Sequence, residues 1–480
     1  MNDSKGGAGS AGQSDAERAP SLAALDHILK TVGWDAIPGD HVRFTGADPV
    51  LPTNFKIGTA GSASIAAIGL AAADLWQLRT GRRQNVSVDV RAATMALRSQ
   101  RYLRVVDQPQ TETWSKLSGF YRSSDGRWIQ LHMQFPHHHE GALKLLGCEA
   151  DRDTVATRVA EWKAAELEQA LVDAGLVGTM SRTNEEWAAH PQSAAADRLP
   201  LFDIEKIGES DPETMPDGDR PLSGIRVLDL TRVLAGPTSG RTLAEHGAVV
   251  MRISGPHLPF HENLVMDTGH GKIAAHVDLR NAEGTAQLQT LVRNSDVFTQ
   301  GYRPGTIAAR GFSPEDLAAM RPGIISVNLC AYGHEGPWRD RRGFDTLVQG
   351  VSGITVEEGQ GGAPAHLPGS VLDYVTGYLA AFGAMTALAR RAREGGSYRV
   401  RVSLLQTAHW LKSLGRIPDS ANARQLPDPS YADVADLLTE SQGPFGHLSF
   451  LKPVVQLSET PPHWVRPVSP LGSHPPVWPT

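Results

Sequence analysis

PLSGIRVLDLTRVLAGPTSGRTLAEHGAVVMRIS, residues 221–254, is the stretch that decides the fold. The apolar run from Ile225 to Leu230 reads as a buried strand. Ala235-Gly236-Pro237 breaks it, and a helix returns the chain to a second strand from Val249 to Ile253. Strand, crossover helix and strand open an α/β domain built on a parallel sheet, the architecture of nucleotide-handling proteins. An NAD-dependent oxidoreductase is excluded by its own fingerprint, because LAGPTSG supplies no G-x-G-x-x-G after the first strand.

At the other end of the same half, Asp373 is a lone acid at the mouth of an Ala/Gly-rich helix. The helix macrodipole favours the ionised form of a carboxyl there and assists a developing oxyanion. A purely structural role, capping the helix for about 1 kcal/mol, is the alternative and is compatible with the first. That helix has a counterpart early in the chain. At a constant offset of 314, the distance from Thr59 to Asp373, residues Ala66, Ala67, Gly69, Ala73, Arg79, Gly81, Val86 and Val88 meet Ala380, Ala381, Gly383, Ala387, Arg393, Gly395, Val400 and Val402 as identities. The chain therefore holds two copies of a helix-turn-strand unit, and only the second carries the acid.

Six segments follow from this reading: a disordered tail over 1–20, a partial first copy over 21–110, a small α+β domain over 111–200, a linker over 201–220, a Rossmann-like domain over 221–416 and an extended C-terminal strap over 417–480. In the first copy, helices are expected over 22–32 and 59–79, with a strand over 85–90. In the small domain, 119–132 reads as a hairpin turning at Asp125-Gly126, 151–176 as helical, and 182–192 as a short polar helix ended by Pro191. The acidic, Pro- and Gly-rich residues 202–220 read as a connection. Pro461, Pro462, Pro467 and Pro470 argue for a strap lying over another domain.

Several words of the sequence recur in one order: LDLTRVLAGP (228–237), Gly271-Lys272 followed by VDLR, GYRPG (301–305), AYGHEGP (331–337), GFDTLVQGVSG (343–353) and LDYVTGYLAAFGAMTALARR around Asp373. In this set the chain resembles the family III CoA-transferases, a group that includes formyl-CoA transferase, carnitine CoA-transferase and a racemising branch. The resemblance implies an α/β fold with a Rossmann-like parallel-sheet domain and a smaller α+β domain, here with the small domain first. A fused double copy that kept the back of copy one and the front of copy two accounts for that order. It implies Asp373 as the catalytic carboxylate, which attacks the thioester to give a mixed anhydride and CoA thiolate. It implies CoA contacts from Arg232, Val233 and Ala235, from Lys272, from Tyr302 and Arg303, and from Arg342. Tyr332, Gly333, His334, Phe344 and Asp345 are the implied acyl-pocket residues. The substrates implied are an acyl-CoA and an acceptor carboxylic acid, with no tightly bound cofactor and no metal, in a homodimer whose halves complete one another's cleft or their own.

Two departures from the family pattern matter. Ser254 stands where the family commonly has an acid, which removes one expected contact. Racemisation needs a histidine in a GHD triplet, and this chain reads Gly343-Phe344-Asp345. A catalytically degenerate acyl-CoA-binding protein is the rival from another class; Thr59 in copy one is the feature behind it.

The hydrophobic and charged fractions are ordinary for a soluble globular protein. A formal net charge of −6 over 480 residues gives no reason to expect nucleic acid as a partner, although a local basic patch is compatible with it. Cys148 and Cys330 are too few and too far apart for a disulfide framework, in keeping with a reducing cytoplasm. The first twenty residues have no apolar core of a signal peptide, and no apolar run is expected to span a bilayer. The consecutive His137, His138 and His139 diverge on any regular element and read as a loop or solvated turn.

Overall fold

The computed structural model describes residues 15–34, 41–109 and 114–479. Most of the expected tail lies outside them, but residues 15–20 already belong to a helix, Asp15–Thr31.

The stretch over 221–254 folds as read. Strand Arg226–Leu230, helix Ala235–Glu245 and strand Val249–Ser254 are followed by Lys272–His276, Val297–Gln300, Ile325–Cys330 and Ser397–Ser403. These strands stand in the order Lys272–His276, Val249–Ser254, Arg226–Leu230, Val297–Gln300, Ile325–Cys330, Ser397–Ser403, and all are parallel. Numbered along the chain, that is 3-2-1-4-5-6, the doubly wound order, in which a crevice opens past the carboxyl ends of strands 1 and 4 where the winding reverses.

The sheet has a seventh strand that the sequence reading placed in the linker. Phe202–Gly208 pairs antiparallel with Ser397–Ser403. Its acids alternate with Phe202 and Ile204, and they find cations across the pair: Asp203 holds Arg401 at 3.0 Å, and Glu205 holds Arg399. Cross-strand charge pairs of this kind stabilise an edge strand that composition alone makes look like a loop.

The two helices that align at the offset of 314 are the centre of the molecule. Helices Ile57–Thr80 and Val371–Glu394 are 24 residues each, begin and end at the same offset, and pack on one another. Gly81 (φ 74°) and Gly395 (φ 69°) turn the chain out of each helix. The strands that follow, Val86–Asp89 and Ser397–Ser403, end on N-caps of equivalent helices, where Asp89 accepts from Ala92 N and Ser403 from Gln406 N. One shared identity has a clear cause. A Cβ on Gly69 would lie 2.6 Å from Val86 Cγ1, and one on Gly383 would lie 2.6 Å from Val400 Cγ1, so each helix needs glycine to reach its strand. Both helices are long and apolar enough to cross a membrane, contrary to the expectation of no such run; 89% and 94% of their apolar windows are buried in the protein core.

The small domain pairs Gly119–Arg122 with Trp128–Leu131 and adds Gly178–Met180 as a third strand. The 151–176 segment is two helices, Arg152–Val159 and Ala164–Asp173. Pro191 opens a helix, Pro191–Ala196, instead of only closing the one before it, since a first-turn proline loses no hydrogen bond. The C-terminal residues form a hairpin, Leu438–Gly443 with Gly446–Leu451, that pairs with Arg104–Val105. Gln456–Leu457 then joins Val86 and Ser87 of the first copy. The chain finally runs back over the large sheet, where Trp464 Nε1 donates to Arg241 O (3.0 Å) and His474 N to Ala274 O (2.9 Å).

Candidate active site

Asp373 is the third residue of its helix; Ser370 takes the N-cap position without a side-chain cap bond. The simple capping role therefore does not apply. The backbone N–H of Asp373 donates to Asp345 Oδ2 at 2.9 Å. Asp345 Oδ1 accepts from Gln349 Nε2, and Gln349 Oε1 in turn accepts from Leu367 N at 2.9 Å. Each oxygen of the buried Asp345 is thus committed. Burial raises the Asp345 carboxyl to about 6 against the two helix N–H groups and Gln349, which favour its charge. Asp373 is raised well above the ordinary carboxylate range, first by burial and then by the neighbouring Asp345. The macrodipole reading, which expected an easily ionised acid, is outweighed by desolvation and a like charge.

The first copy repeats this clasp around a different residue. Asp48 accepts from Gly58 N (2.9 Å) and Thr59 N (2.7 Å), the offset equivalents of Leu372 and Asp373, and Thr59 is 3% exposed. The backbone device stands at both positions, and a carboxyl at residue 373 alone.

A cavity of about 570 Å3 opens in front of Asp373, at the switch point of the sheet. Its floor is the turn after strand 1 and the turn after strand 4. The first supplies Arg232, Val233 and Ala235, the second Tyr302 and Arg303, and Arg342 and Phe344 close the rim. Val233 holds φ +67°, a strained value for a β-branched residue, which the tight passage from strand to helix imposes. Arg232 donates to Pro259 O and lies 5.7 Å from the Phe135 ring centroid. Burial lowers the pKa of both Arg232 and Arg342, with Arg303 adding repulsion on Arg342, yet guanidinium groups stay charged there. A cluster of unneutralised cations beside an acid in a concave site suits a ligand that carries several phosphates.

Four residues from the sequence reading lie elsewhere. Lys272 is 1% exposed, and its Nζ donates to Asp229 Oδ2 and Pro237 O, both at 2.7 Å. It begins its strand, at the end of the sheet away from the cleft, and its side chain props the turn from beneath; burial lowers it to about 8 despite Asp229. Tyr332 is buried under Arg341 and Trp338. Its carbonyl accepts from Gln192 Nε2 at 2.7 Å. The Gly333 backbone, at φ 103°, turns the chain toward the small domain. The His334 ring meets Val402 O at 3.1 Å, and burial pushes it down to about 4. The AYGHEGP turn thus docks the small domain, and Ala331 is its member on the cavity. Ser254, in place of the expected acid, pairs with His276 Nδ1 at 3.1 Å.

The sequence reading also missed a wall. Helix Pro136–Leu146 makes the histidine run a first turn instead of a loop, and His137, His138 and Phe135 face the large cavity. Both ring nitrogens of His138 are buried without a partner, and burial, followed by His137, lowers it to about 3. From the first copy, Gln100 reaches the same helix end: Tyr374 OH donates to its Oε1 (2.5 Å) and its Nε2 donates to Ser370 Oγ (3.3 Å). Both halves of one chain therefore line one cleft.

Comparison with known proteins supplies the family. The family model described as CoA-transferase family III matches residues 21–214 and 222–435. A protein named acyl-CoA transferase from Gibberella moniliformis is 29% identical over 450 residues, covering 81% of this chain and 78% of its own. One named succinate–glutarate CoA-transferase from Agrobacterium fabrum is 33% identical over 210 residues, 40% of this chain and 52% of its own. A crystal structure of a hypothetical protein from Mycobacterium tuberculosis aligns with a TM-score of 0.39 at 31% identity, over 41% of this chain and 58% of that one. With both halves matched by the family model, this chain belongs to CoA-transferase family III and is an enzyme of that class.

Proposed function

We propose that the protein moves CoA between carboxylic acids through Asp373, with acyl-CoA and a free acid as its substrates. The observation that carries this is the position of Asp373, at the point where a cavity rich in arginine meets a second, smaller one. Arg232, Arg303 and Arg342, with Tyr302, hold the phosphates and body of CoA. The thioester carbonyl then lies against the Asp373 carboxylate.

Attack of a carboxylate oxygen forms a C–O bond, breaks the C–S bond and releases CoA thiolate, leaving a mixed anhydride on Asp373. The thiolate attacks the aspartyl carbonyl, freeing the first acid and making an aspartyl thioester. The incoming carboxylate attacks that thioester to restore an anhydride and thiolate. Attack of the thiolate on the new acyl carbonyl yields the new acyl-CoA and the free carboxylate. No proton is consumed overall, and closure of the site by the small-domain wall keeps water from the activated acyl group. Asp345 is a positioning residue: it fixes the Asp373 backbone and, by its charge, keeps the nucleophile basic. The proposed division is a first copy (21–110), small domain (111–200), catalytic domain (221–416) and strap (417–480), with each chain completing its own cleft.

Incubation with an acyl-CoA, trapping with hydroxylamine or borohydride, and mass spectrometry should locate modification on Asp373, and CoA release should require an acceptor acid. Asp373→Asn should abolish both. Unlabelled Asp373 in a protein that binds CoA would instead assign it to the degenerate, binding-only class.

A further inference from the structure

Behind the large cavity, a second one of about 130 Å3 shares Asp373 as its mouth. With CoA in the larger space, this is where the acyl group must go. Its walls are aromatic: His132 stacks on Phe344 (centroids 4.2 Å apart, 7°), Trp114 stands edge-on to His132 (5.7 Å, 89°), and Phe135 packs on His261 at 4.4 Å. Leu234 and Leu264 complete the apolar lining.

We infer that the acids exchanged are compact and carry no charge beyond the reacting carboxyl, with aromatic and branched short-chain acids as the fitting class and dicarboxylic acids refused. This rests on the proposed transfer through Asp373. Three observations carry it. Among the described residues, the lining includes no arginine or lysine, and its ionisable carboxyls are Asp345 and Asp373. The two histidines in the wall are kept neutral: burial lowers His132 to about 3, and burial followed by Arg232 lowers His261. A second carboxylate on the substrate would therefore lie beside acids with no cation in the lining to pair with it, Arg232 acting only from behind His261. Finally, Gln134 Nε2, His132 Nδ1, His261 Nε2 and Thr346 Oγ1 are buried without a protein partner, and, being neutral, they suit an uncharged oxygen substituent better than a second carboxylate. The volume suits a group of ring size, since an engineered cavity of about 150 Å3 takes up benzene. Because donor and acceptor acids are attached to the same carboxylate in turn, both must belong to this class. The A. fabrum relative is named for two dicarboxylates, so the inference does not follow from family membership.

The test is single-turnover acylation of the full-length protein, read by mass spectrometry, with benzoyl-CoA, isobutyryl-CoA, succinyl-CoA and glutaryl-CoA. Benzoyl- or isobutyryl-CoA should react at least about 100-fold faster than either dicarboxylyl thioester. Gln134→Arg, or Trp114→Arg at a position 45% exposed, should raise the succinyl-to-benzoyl ratio by about tenfold or more. Succinyl-CoA reacting within tenfold of benzoyl-CoA overturns the inference while leaving transfer through Asp373 intact. Failure of all four thioesters to label Asp373, with CoA still bound, overturns the transfer reading itself.

Discussion

Replacing Asp345 by asparagine separates the two carboxyls that govern the site. In the wild type, Asp345 adds its repulsion to the burial that raises Asp373. At the ~4–6 Å over which neighbouring charges shift a pKa, two unit charges in an effective dielectric of about 20 interact by about 3–4 kcal/mol, which is about two to three pH units. Asp345→Asn keeps one oxygen for the Asp373 N–H and removes that charge. The pH-dependence of single-turnover acylation, measured by rapid quench between pH 5 and 9, should therefore move its rising limb to lower pH by one to two units, on the order of the repulsion removed. Stability supplies a second readout. Asp345 rises from 3.8 to about 6 on folding, so its ionisation opposes the fold by about 3 kcal/mol at neutral pH. That opposition is absent below 3.8 and grows as pH rises to 6. Asparagine removes it but sets an amide N–H2 against Gln349 Nε2, which costs about 1 kcal/mol because Gln349 cannot turn without losing Leu367 N. The variant should be about 2 kcal/mol more stable than wild type at pH 7 and no more stable at pH 4. A limb that stays in place, or moves upward, would refute the coupling of the two acids.

Other perturbations test other parts. Lys272→Met should destabilise by about 3–5 kcal/mol in urea titration by stranding Asp229, and any folded fraction should keep its KM for acyl-CoA. Arg342→Ala should instead raise that KM by about tenfold with little change in stability, since it removes a cation from the rim. Thr59→Asp should not rescue Asp373→Asn, and its carboxyl, buried beside Asp48, should lower stability by about 2 kcal/mol or more, read as a drop in the thermal midpoint. Glu245 is raised from 4.5 to about 8 by burial against Arg241 and Arg220. The folded protein holds that proton after the unfolded chain has lost it, so stability falls with rising pH across this window, and Glu245→Gln should flatten the slope in urea titrations from pH 5 to 8.

What the sequence carried legibly is what local geometry compels. The strand ending in Ala235-Gly236-Pro237 could only become a strand-to-helix turn, and that turn forms the cavity floor. The pairs Gly69–Val86 and Gly383–Val400 stood out as identities because a close helix-strand approach leaves no room for a Cβ. Lys272 was misplaced because a motif identifies a residue, whereas the end of the strand at which it stands, and the reach of its long side chain, are set by the sheet. Phe202–Gly208 was hidden by its acids, whose partners Arg399 and Arg401 come almost two hundred positions later. The aromatic and histidine wall came from tertiary packing of the small domain on the cleft, for which no local pattern exists.

The pairing of Gln456–Leu457 with Val86 and Ser87 has a consequence during biosynthesis. The early strand emerges from the ribosome with its hydrogen-bonding edge bare, and its partner is about 370 residues away, which at about 5–20 residues per second means a delay of about 20–70 s. Throughout that interval the nascent chain presents a template for pairing with its neighbours on the same messenger. Spacing the ribosomes or holding the nascent chain should therefore raise the yield of this protein, and truncation before residue 456 leaves that edge without its strand.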